Sequence, residues 1–226
     1  MEETILLWSA LRSGDLQQAI IVLALSLPAV VLCLSVHEAA HGGVAYLLGD
    51  RTAYSAGRVT LSPRAHIDPW GFACLLLFGF GWARPVPVNI SNFKNRRWGM
   101  ALTALAGPAS NLLTAFVFYC LYFALGWRFA QSSSMFIVAI LMFCQIVASM
   151  SVGLAVFNLI PVHPLDGSRV VDAFMPFSWS LKLQKYQSII MLVFVLALWF
   201  GWLNGIMSAV GNLVFLWASR LVALFL

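Results

Sequence analysis

The most conspicuous shortage in this chain of 226 residues is charge. Only 9% of the residues are charged, 62% are hydrophobic, and the mean hydropathy is +0.90. A soluble domain carries about 25% charged residues, because its surface must be largely polar. The composition therefore excludes a soluble globular protein and a disordered chain. It predicts an integral membrane protein that is built from helices.

Cysteine is also scarce, and internal repeats are absent from the sequence. The four cysteines form no CxxC pair and each lies in an apolar run, which excludes a disulfide-stapled secreted domain. A transporter would usually show related halves, and none is found. The excess of thirteen basic over eight acidic residues fits the cytoplasmic loops of a membrane protein, so we expect no nucleic-acid partner.

Charge-free apolar runs divide the chain into membrane spans. A helix needs about 20 apolar residues to cross the hydrocarbon core. Runs of this kind lie at residues 16–36, 98–127, 129–165 and 186–219. The first continues through an ionisable cluster to Gly49, so the predicted spans cover 16–49, 98–127, 129–165 and 186–225. The last run can hold two spans if the helix breaks around Gly201, Asn204 and Gly205. We therefore predict an all-α polytopic membrane protein with about five to six transmembrane helices, which forms a single domain over residues 1–226.

The pattern changes in the polar region at residues 50–97. Short alternating segments at 57–61 and 85–90 predict strands or extended chain, and the prolines in the second make it an edge or irregular strand. The apolar run at 70–83 would reach only about 21 Å as a helix, short of the roughly 30 Å hydrocarbon core. We therefore predict a short membrane-associated β or re-entrant region after the first span.

Ionisable residues inside the first span carry the chemistry. Residues 37–41 read His-Glu-Ala-Ala-His, and positions four apart share one face of a helix, so His37 and His41 can bind one metal ion. Glu38 beside them can act as a general base toward a water molecule. Such residues are costly within a membrane and are functional by default. The alternative is a pair of histidines that hydrogen-bond between helices beside a protonated Glu38.

A tetrahedral catalytic zinc site needs a third protein ligand. Asp166 follows the third run, where Pro161 and Pro164 break the helix and the freed backbone can bend a carboxylate inward. The alternative for Asp166 is a helix cap or turn residue before Gly167, and the histidine pair favours the ligand. The other acidic residues outside the motif stay open as ligands: Glu2, Glu3, Asp15, Asp50, Asp68 and Asp172.

Three motifs fall in or beside the predicted spans: His-Glu-Ala-Ala-His at 37–41, Gly-Pro-Ala-Ser-Asn at 107–111, and Asn-Leu-Ile-Pro followed by Leu-Asp-Gly within 158–167. Together they resemble the site-2 protease family of intramembrane zinc metalloproteases. The intervening loop stretches resemble its compact prokaryotic branch, which has no PDZ or CBS domain. The resemblance implies cleavage of transmembrane segments of membrane proteins by metal-activated water, as in regulated intramembrane proteolysis.

The same resemblance implies roles for individual residues. One zinc ion per chain would be bound by His37, His41 and Asp166, with Glu38 as the general base. Asn111 and Asn158 would help to hold the substrate or the developing oxyanion. An interhelical hydrogen bond is the alternative for each asparagine. His66 and His163 stay open, either as groups near the metal or as cap and loop residues.

The metal hypothesis constrains the topology. His37 lies toward the end of the first span and Asp166 follows the third run, so they reach one depth only if 70–83 does not cross the membrane. This arrangement places most of the thirteen basic residues in cytoplasmic loops. We predict a protein of the prokaryotic cell (inner) membrane with its active site near the cytoplasmic side. Its partners would be the lipid bilayer and a transmembrane protein substrate, and its oligomeric state is open.

Two other classes of function stay open. The first is a metal-binding membrane scaffold or transporter without peptidase activity, because intramembrane ionisable residues serve proton and ion pathways too. The second is another membrane hydrolase, such as a processing enzyme for lipidated proteins. For a protease, the edge of segment 57–61 or 85–90 offers a place where an unwound substrate could pair by strand addition.

Overall fold

The computed structural model describes residues 16–71, 83–176, 179, 183 and 185–225. Within these residues the chain is helical, and a 3₁₀ turn at Ile90–Asn92 interrupts the polar region. The α-helices are α1 (Leu16–Leu47), α2 (Thr52–Ser55), α3 (Pro63–His66), α4 (Arg96–Arg128), α5 (Met135–Asn158), α6 (Asp166–Phe174), α7 (Gln187–Trp199) and α8 (Asn204–Ala223).

Four of the described helices are long and apolar enough to cross a membrane: α1, α4, α5 and α8. The prediction of an all-α polytopic membrane protein is confirmed. The last apolar run breaks where predicted, because Gly201 has a φ of +73° that glycine adopts without strain. This break leaves α7 with 13 residues, or about 20 Å of helix, which is too short to cross alone. The described part of the chain therefore holds fewer spans than the five to six expected.

Helix α4 lies at the centre of the helix packing, where it contacts α1, α5, α6 and α8. Small side chains lie in the contacts among α1, α4 and α5. Ala29 and Cys33 of α1 pack against Val147 of α5, and Ala115 of α4 packs with Val152 of α5. Small residues let helix backbones approach closely, which is what drives helix association in lipid.

The expected strands at 57–61 and 85–90 do not form. Between them the structure has one isolated antiparallel bridge, from Ile67 to Ala83. The physical reason lies in the second segment, where Pro85 and Pro87 have no N–H to donate to a ladder. Four backbone groups in or next to this segment are bonded to side chains instead: the N–H of Val86 to Glu38, the N–H of Asn89 to Asp50, and the carbonyls of Arg84 and Pro85 to Arg58.

The two ends of the apolar run at 70–83 lie side by side. Beyond the bridge from Ile67 to Ala83, the N–H of Arg84 donates to the carbonyl of His66 at 2.8 Å. Residues 72–82 lie outside the described residues, and the predicted re-entrant segment falls mostly on them. The described residues that flank this segment are nevertheless paired with each other. This pairing agrees with the metal hypothesis, which requires that the segment does not cross the membrane.

Asp50 fastens the polar region to the end of α1. Its carboxylate is fully buried and accepts hydrogen bonds from the N–H and hydroxyl of Thr52, from the amide of Asn92 at 2.7 Å and from the N–H of Asn89 at 2.7 Å. Burial acts to raise the pKa of Asp50, but the hydrogen bonds from Thr52, Asn92 and Asn89 outweigh it and hold this pKa below its usual value. Asp50 is thus a structural anchor and not a metal ligand.

We expect Asp50→Ala to lower the thermal unfolding temperature in detergent, because it leaves buried donors unpaired at a cost of about 3 kcal/mol or more. The matched control is Asp68→Ala, since Asp68 accepts one described hydrogen bond, from the N–H of Gly71. The control should have a smaller effect.

The contribution of Asp50 should also depend on pH. Its folded pKa is depressed, so the unfolded chain binds more protons between the two pKa values. The stabilisation is full above the unfolded value of about 3.9 and is lost as pH falls through the folded value. Unfolding temperatures measured from pH 6 to 3 should fall less steeply in Asp50→Ala than in the wild type. Parallel curves would contradict this assignment.

Candidate metal centre

His37, His41 and Asp166 converge on one point. The Nε2 atom of His37 lies 3.0 Å from Oδ2 of Asp166 and 3.0 Å from Nε2 of His41, and the third distance, from His41 to Asp166, is 3.1 Å. All three side chains are buried. Tetrahedral ligand atoms about 2.0–2.1 Å from a zinc ion would lie about 3.3 Å apart. The three atoms therefore have the spacing and chemistry of one face of a zinc site.

The local fold explains how Asp166 reaches the histidines. It is the first residue of α6, and Leu165 occupies the N-cap without a side-chain cap bond, so Asp166 does not act as the helix cap. A Cβ on the following residue, Gly167, would overlap the carbonyl of Leu159. Glycine at 167 lets the chain fold back onto the end of α5, which turns the neighbouring Asp166 toward α1.

Helix α4 supplies a wall of the site that has no side chain. A Cβ on Gly107 would lie 2.5 Å from Cε1 of His37 and 2.5 Å from Nε2 of His41. Only glycine fits there without displacing both imidazoles. The sequence motif at 107–111 pointed to Asn111 and missed Gly107. The available signal was a glycine in the interior of a long helix, where it costs about 1 kcal/mol relative to alanine.

Each histidine has a partner on its outer nitrogen. The Nδ1–H of His41 donates to the carbonyl oxygen of Thr103 at 2.7 Å, which leaves Nε2 as the ligand atom. Asn111 is fully buried, and its amide lies 3.1 Å from Nδ1 of His37. Metal-binding histidines nearly always use the second nitrogen in this way. The donor set and its outer partners both fit a zinc ion.

Glu38 lies beside the convergent ligands but is held from another direction. Its Oε2 accepts the N–H of Val86 at 3.0 Å, and this N–H is the one backbone donor between two prolines. Arg58 is buried and donates from Nη2 to the carbonyls of Arg84 and, at 2.9 Å, Pro85. Segment 84–86 is thereby fixed against the site on the side of Glu38.

The remaining candidate residues lie outside the metal cluster. His66 donates from Nε2 to the carbonyl of Thr60 at 2.7 Å, and His163 pairs with Asp172 at 2.8 Å. Both therefore bond to local chain, and neither belongs to the group of described residues whose ligand atoms converge. The amide nitrogen of Asn158 donates to the carbonyl of Leu154, one turn earlier in its own helix, at 2.9 Å. A substrate-binding role for Asn158 stays a prediction.

A bundle of membrane-type helices with a buried His-His-Asp centre and an adjacent glutamate defines a class, the membrane-embedded metalloproteins. Within that class, residues 25–201 match Peptidase family M50, so the chain belongs to this family. The resemblance to site-2 proteases is thus confirmed. Membership supports a zinc metalloprotease with a site-2 protease-like function.

Relatives of the chain carry names of the same kind. “Putative zinc metalloprotease YwhC” of Bacillus subtilis (strain 168) is 37% identical over 166 residues, which cover 74% of this chain and 76% of the relative. “Putative zinc metalloprotease MJ0611” of Methanocaldococcus jannaschii is 30% identical over 163 residues, with 72% and 76% covered. “Putative zinc metalloprotease Rip2” of Mycolicibacterium smegmatis is 29% identical over 147 residues, with 63% and 54% covered. No solved structure matches the chain at a significant level.

We expect Gly107→Ala to abolish zinc binding, because the added methyl group overlaps both imidazoles. Zinc content of the purified protein measures this directly. The matched control is Gly126→Ala in the same helix, where a Cβ meets no atom within 4 Å. Full zinc content in Gly107→Ala would show that the metal is held elsewhere.

Proposed function

We propose that this protein is an intramembrane zinc endopeptidase that cleaves transmembrane segments of membrane proteins, the reaction of regulated intramembrane proteolysis. The observation that carries the proposal is the convergence of His37, His41 and Asp166 beside Glu38. The motif lies in the second half of a helix long and apolar enough to span a membrane. Membership of Peptidase family M50 supports the hydrolytic chemistry. Membership of the same family also supports membrane protein substrates and a lipid environment.

The three ligands hold one zinc ion per chain. When bound there, zinc would polarise the scissile carbonyl and lower the pKa of a water molecule to about 7. Glu38 takes a proton from the attacking water and passes it to the leaving amine nitrogen. The N–H of Val86 donates to Oε2 of Glu38, which holds the carboxylate in place and leaves Oε1 without this bond.

A substrate helix must unwind locally, since its peptide bonds are hidden in hydrogen bonds. The edge at 85–90 is a poor place for strand addition, because the N–H groups of Val86 and Asn89 and the carbonyls of Arg84 and Pro85 already have partners. We propose instead that this segment positions Glu38. Asn158 and segment 57–61 stay as the proposed contacts for the extended substrate.

We further propose that the centre faces the cytoplasm in a prokaryotic inner membrane. The loop that follows α1 and the first turn of α4 carry exposed basic residues, as the positive-inside rule requires of a cytoplasmic region; these are Arg51, Arg64, Arg84, Lys94, Arg96 and Arg97. The opposite ends of α4 and α5 meet at a short turn after Arg128. Because α4 contacts α1, α5, α6 and α8, we propose that the chain forms one domain.

We expect Glu38→Gln to retain zinc and to lose cleavage by about 10²-fold or more, which is the contribution of a positioned general base. Zinc content and cleavage of a panel of membrane-segment peptides should be measured on the same preparations. His41→Ala is the comparison that should lose both.

The two measurements also separate the alternatives. A wild type that binds zinc and cleaves nothing would favour the metal-binding scaffold or transporter. Equal cleavage by wild type and Glu38→Gln would refute the role given to Glu38. Absence of zinc from the wild type would remove the basis of the endopeptidase proposal.

The orientation can be tested with single cysteines introduced at two exposed positions, Lys94 and Ser132, in a background in which the native cysteines are replaced. We expect a membrane-impermeant thiol reagent to label Ser132→Cys in intact cells. Lys94→Cys should react only after the membrane is opened, because it lies in the basic loop. The reverse pattern would place the metal centre on the outer face.

A further inference from the structure

The two histidines of the centre differ in the group that determines which ring nitrogen carries the proton. His41 faces a backbone carbonyl, that of Thr103. A carbonyl oxygen can only accept, so the proton of His41 must lie on Nδ1 and its Nε2 is free to bind a metal. His37 faces the side-chain amide of Asn111. An amide has a donating and an accepting end, so the orientation of Asn111 decides which nitrogen of His37 carries the proton.

One orientation of the amide is incompatible with a metal at this site. If the nitrogen of Asn111 donates to Nδ1 of His37, the proton of His37 lies on Nε2, the atom that faces His41 and Asp166. A protonated Nε2 cannot be a ligand. If the oxygen of Asn111 faces His37 instead, it accepts the Nδ1–H and leaves Nε2 free.

No second contact fixes the amide of Asn111 in the incompatible orientation. Its two ends have the same shape, so they are assigned from the hydrogen-bond network. With the nitrogen toward His37, Oδ1 is buried and has no hydrogen-bond partner among the described residues. The requirement of His37 is therefore what distinguishes the two orientations.

We propose that the side-chain oxygen of Asn111 accepts the Nδ1–H of His37 and thereby reserves Nε2 of His37 for the metal. Asn111 is then a positioning residue for a ligand. This differs from the contact with the substrate or oxyanion that the sequence resemblance implies. Asn111 is fully buried and lies at the ring nitrogen opposite the ligand atom, so His37 separates it from the reacting groups.

Gly107 contacts the opposite edge of the His37 ring, which supports the inference. Gly107 and Asn111 are four residues apart in α4 and share one face of the helix. The backbone at Gly107 lies against the metal-side edge of His37, and the side chain of Asn111 reaches its outer nitrogen. Helix α4 thereby fixes both the plane and the tautomer of this ligand.

The inference rests on the proposed zinc centre, and zinc binding tests it without reference to cleavage. The variants are Asn111→Asp, which keeps an acceptor and removes the donor, and Asn111→Leu, which removes both. We expect Asn111→Leu to bind zinc about 10–100-fold more weakly, the usual cost of losing an outer partner. Asn111→Asp should stay within a few-fold of the wild type. Asn158→Leu is the control and should keep its zinc.

Zinc affinity is measured by competition with a chelator, on protein whose fold is checked by thermal unfolding. Equal losses in Asn111→Asp and Asn111→Leu would overturn the inference, because the donor would then be the part that matters. Wild-type affinity in Asn111→Leu would overturn it as well. Absence of zinc from the wild type would instead refute the proposed function.

A measurement on the wild type avoids any dependence on variant folding. In the zinc-loaded protein with ¹⁵N-labelled histidine, the Nδ1 of His37 should be protonated, because only then does it pair with the oxygen of Asn111. An unprotonated Nδ1 in the zinc-loaded protein would overturn the inference, whereas zinc binding itself would still stand.

Discussion

The structure depends on one meeting point, where side chains 129 residues apart in sequence, His37 and Asp166, lie 3.0 Å from each other. In a membrane protein such a contact fixes topology, because both residues must lie at the same depth. The described residues between them include two helices long and apolar enough to span a membrane, α4 and α5, which lead away from and back to that depth. Ile67 and Ala83, paired across the apolar run between α1 and α4, keep the polar region on the side of the metal centre.

The centre is built as much by what α4 lacks as by what it carries. Gly107 leaves room for two imidazoles, and the backbone carbonyl of Thr103 orients one of them. These contributions need no polar side chain, which limits the number of costly groups placed in a low-dielectric environment. Asn111 adds a single neutral group to the same face. A carboxylate in its place would add an ionised group to the helix bundle, and burying a charge costs more than burying a neutral amide.

Residues that act through local spacing could be predicted from the sequence. The His-Glu-Ala-Ala-His motif, the apolar runs and the break at Gly201 all depend on neighbours within a few positions. Of the two alternatives expected at 85–90, strand or extended chain, the strand does not form, because Pro85 and Pro87 lack donors and because neighbouring backbone groups bond to Arg58, Asp50 and Glu38. The bonds to these three distant side chains cannot be seen in a local pattern. Gly107 was missed for the same reason, since the imidazoles that it contacts lie on another helix.

The hydrogen bond from the N–H of Val86 couples the position of the proposed base, Glu38, to that of segment 84–86. Two prolines stiffen the chain on either side of Val86, and Arg58 ties the preceding carbonyls to the loop that follows α1. A displacement of this segment is transmitted to the carboxylate, whereas the outer nitrogens of His37 and His41 contact α4, at Asn111 and at the carbonyl of Thr103. The proposed base and the metal-binding histidines thus contact different parts of the chain. A movement of segment 84–86 can therefore shift Glu38 while the histidines keep their positions.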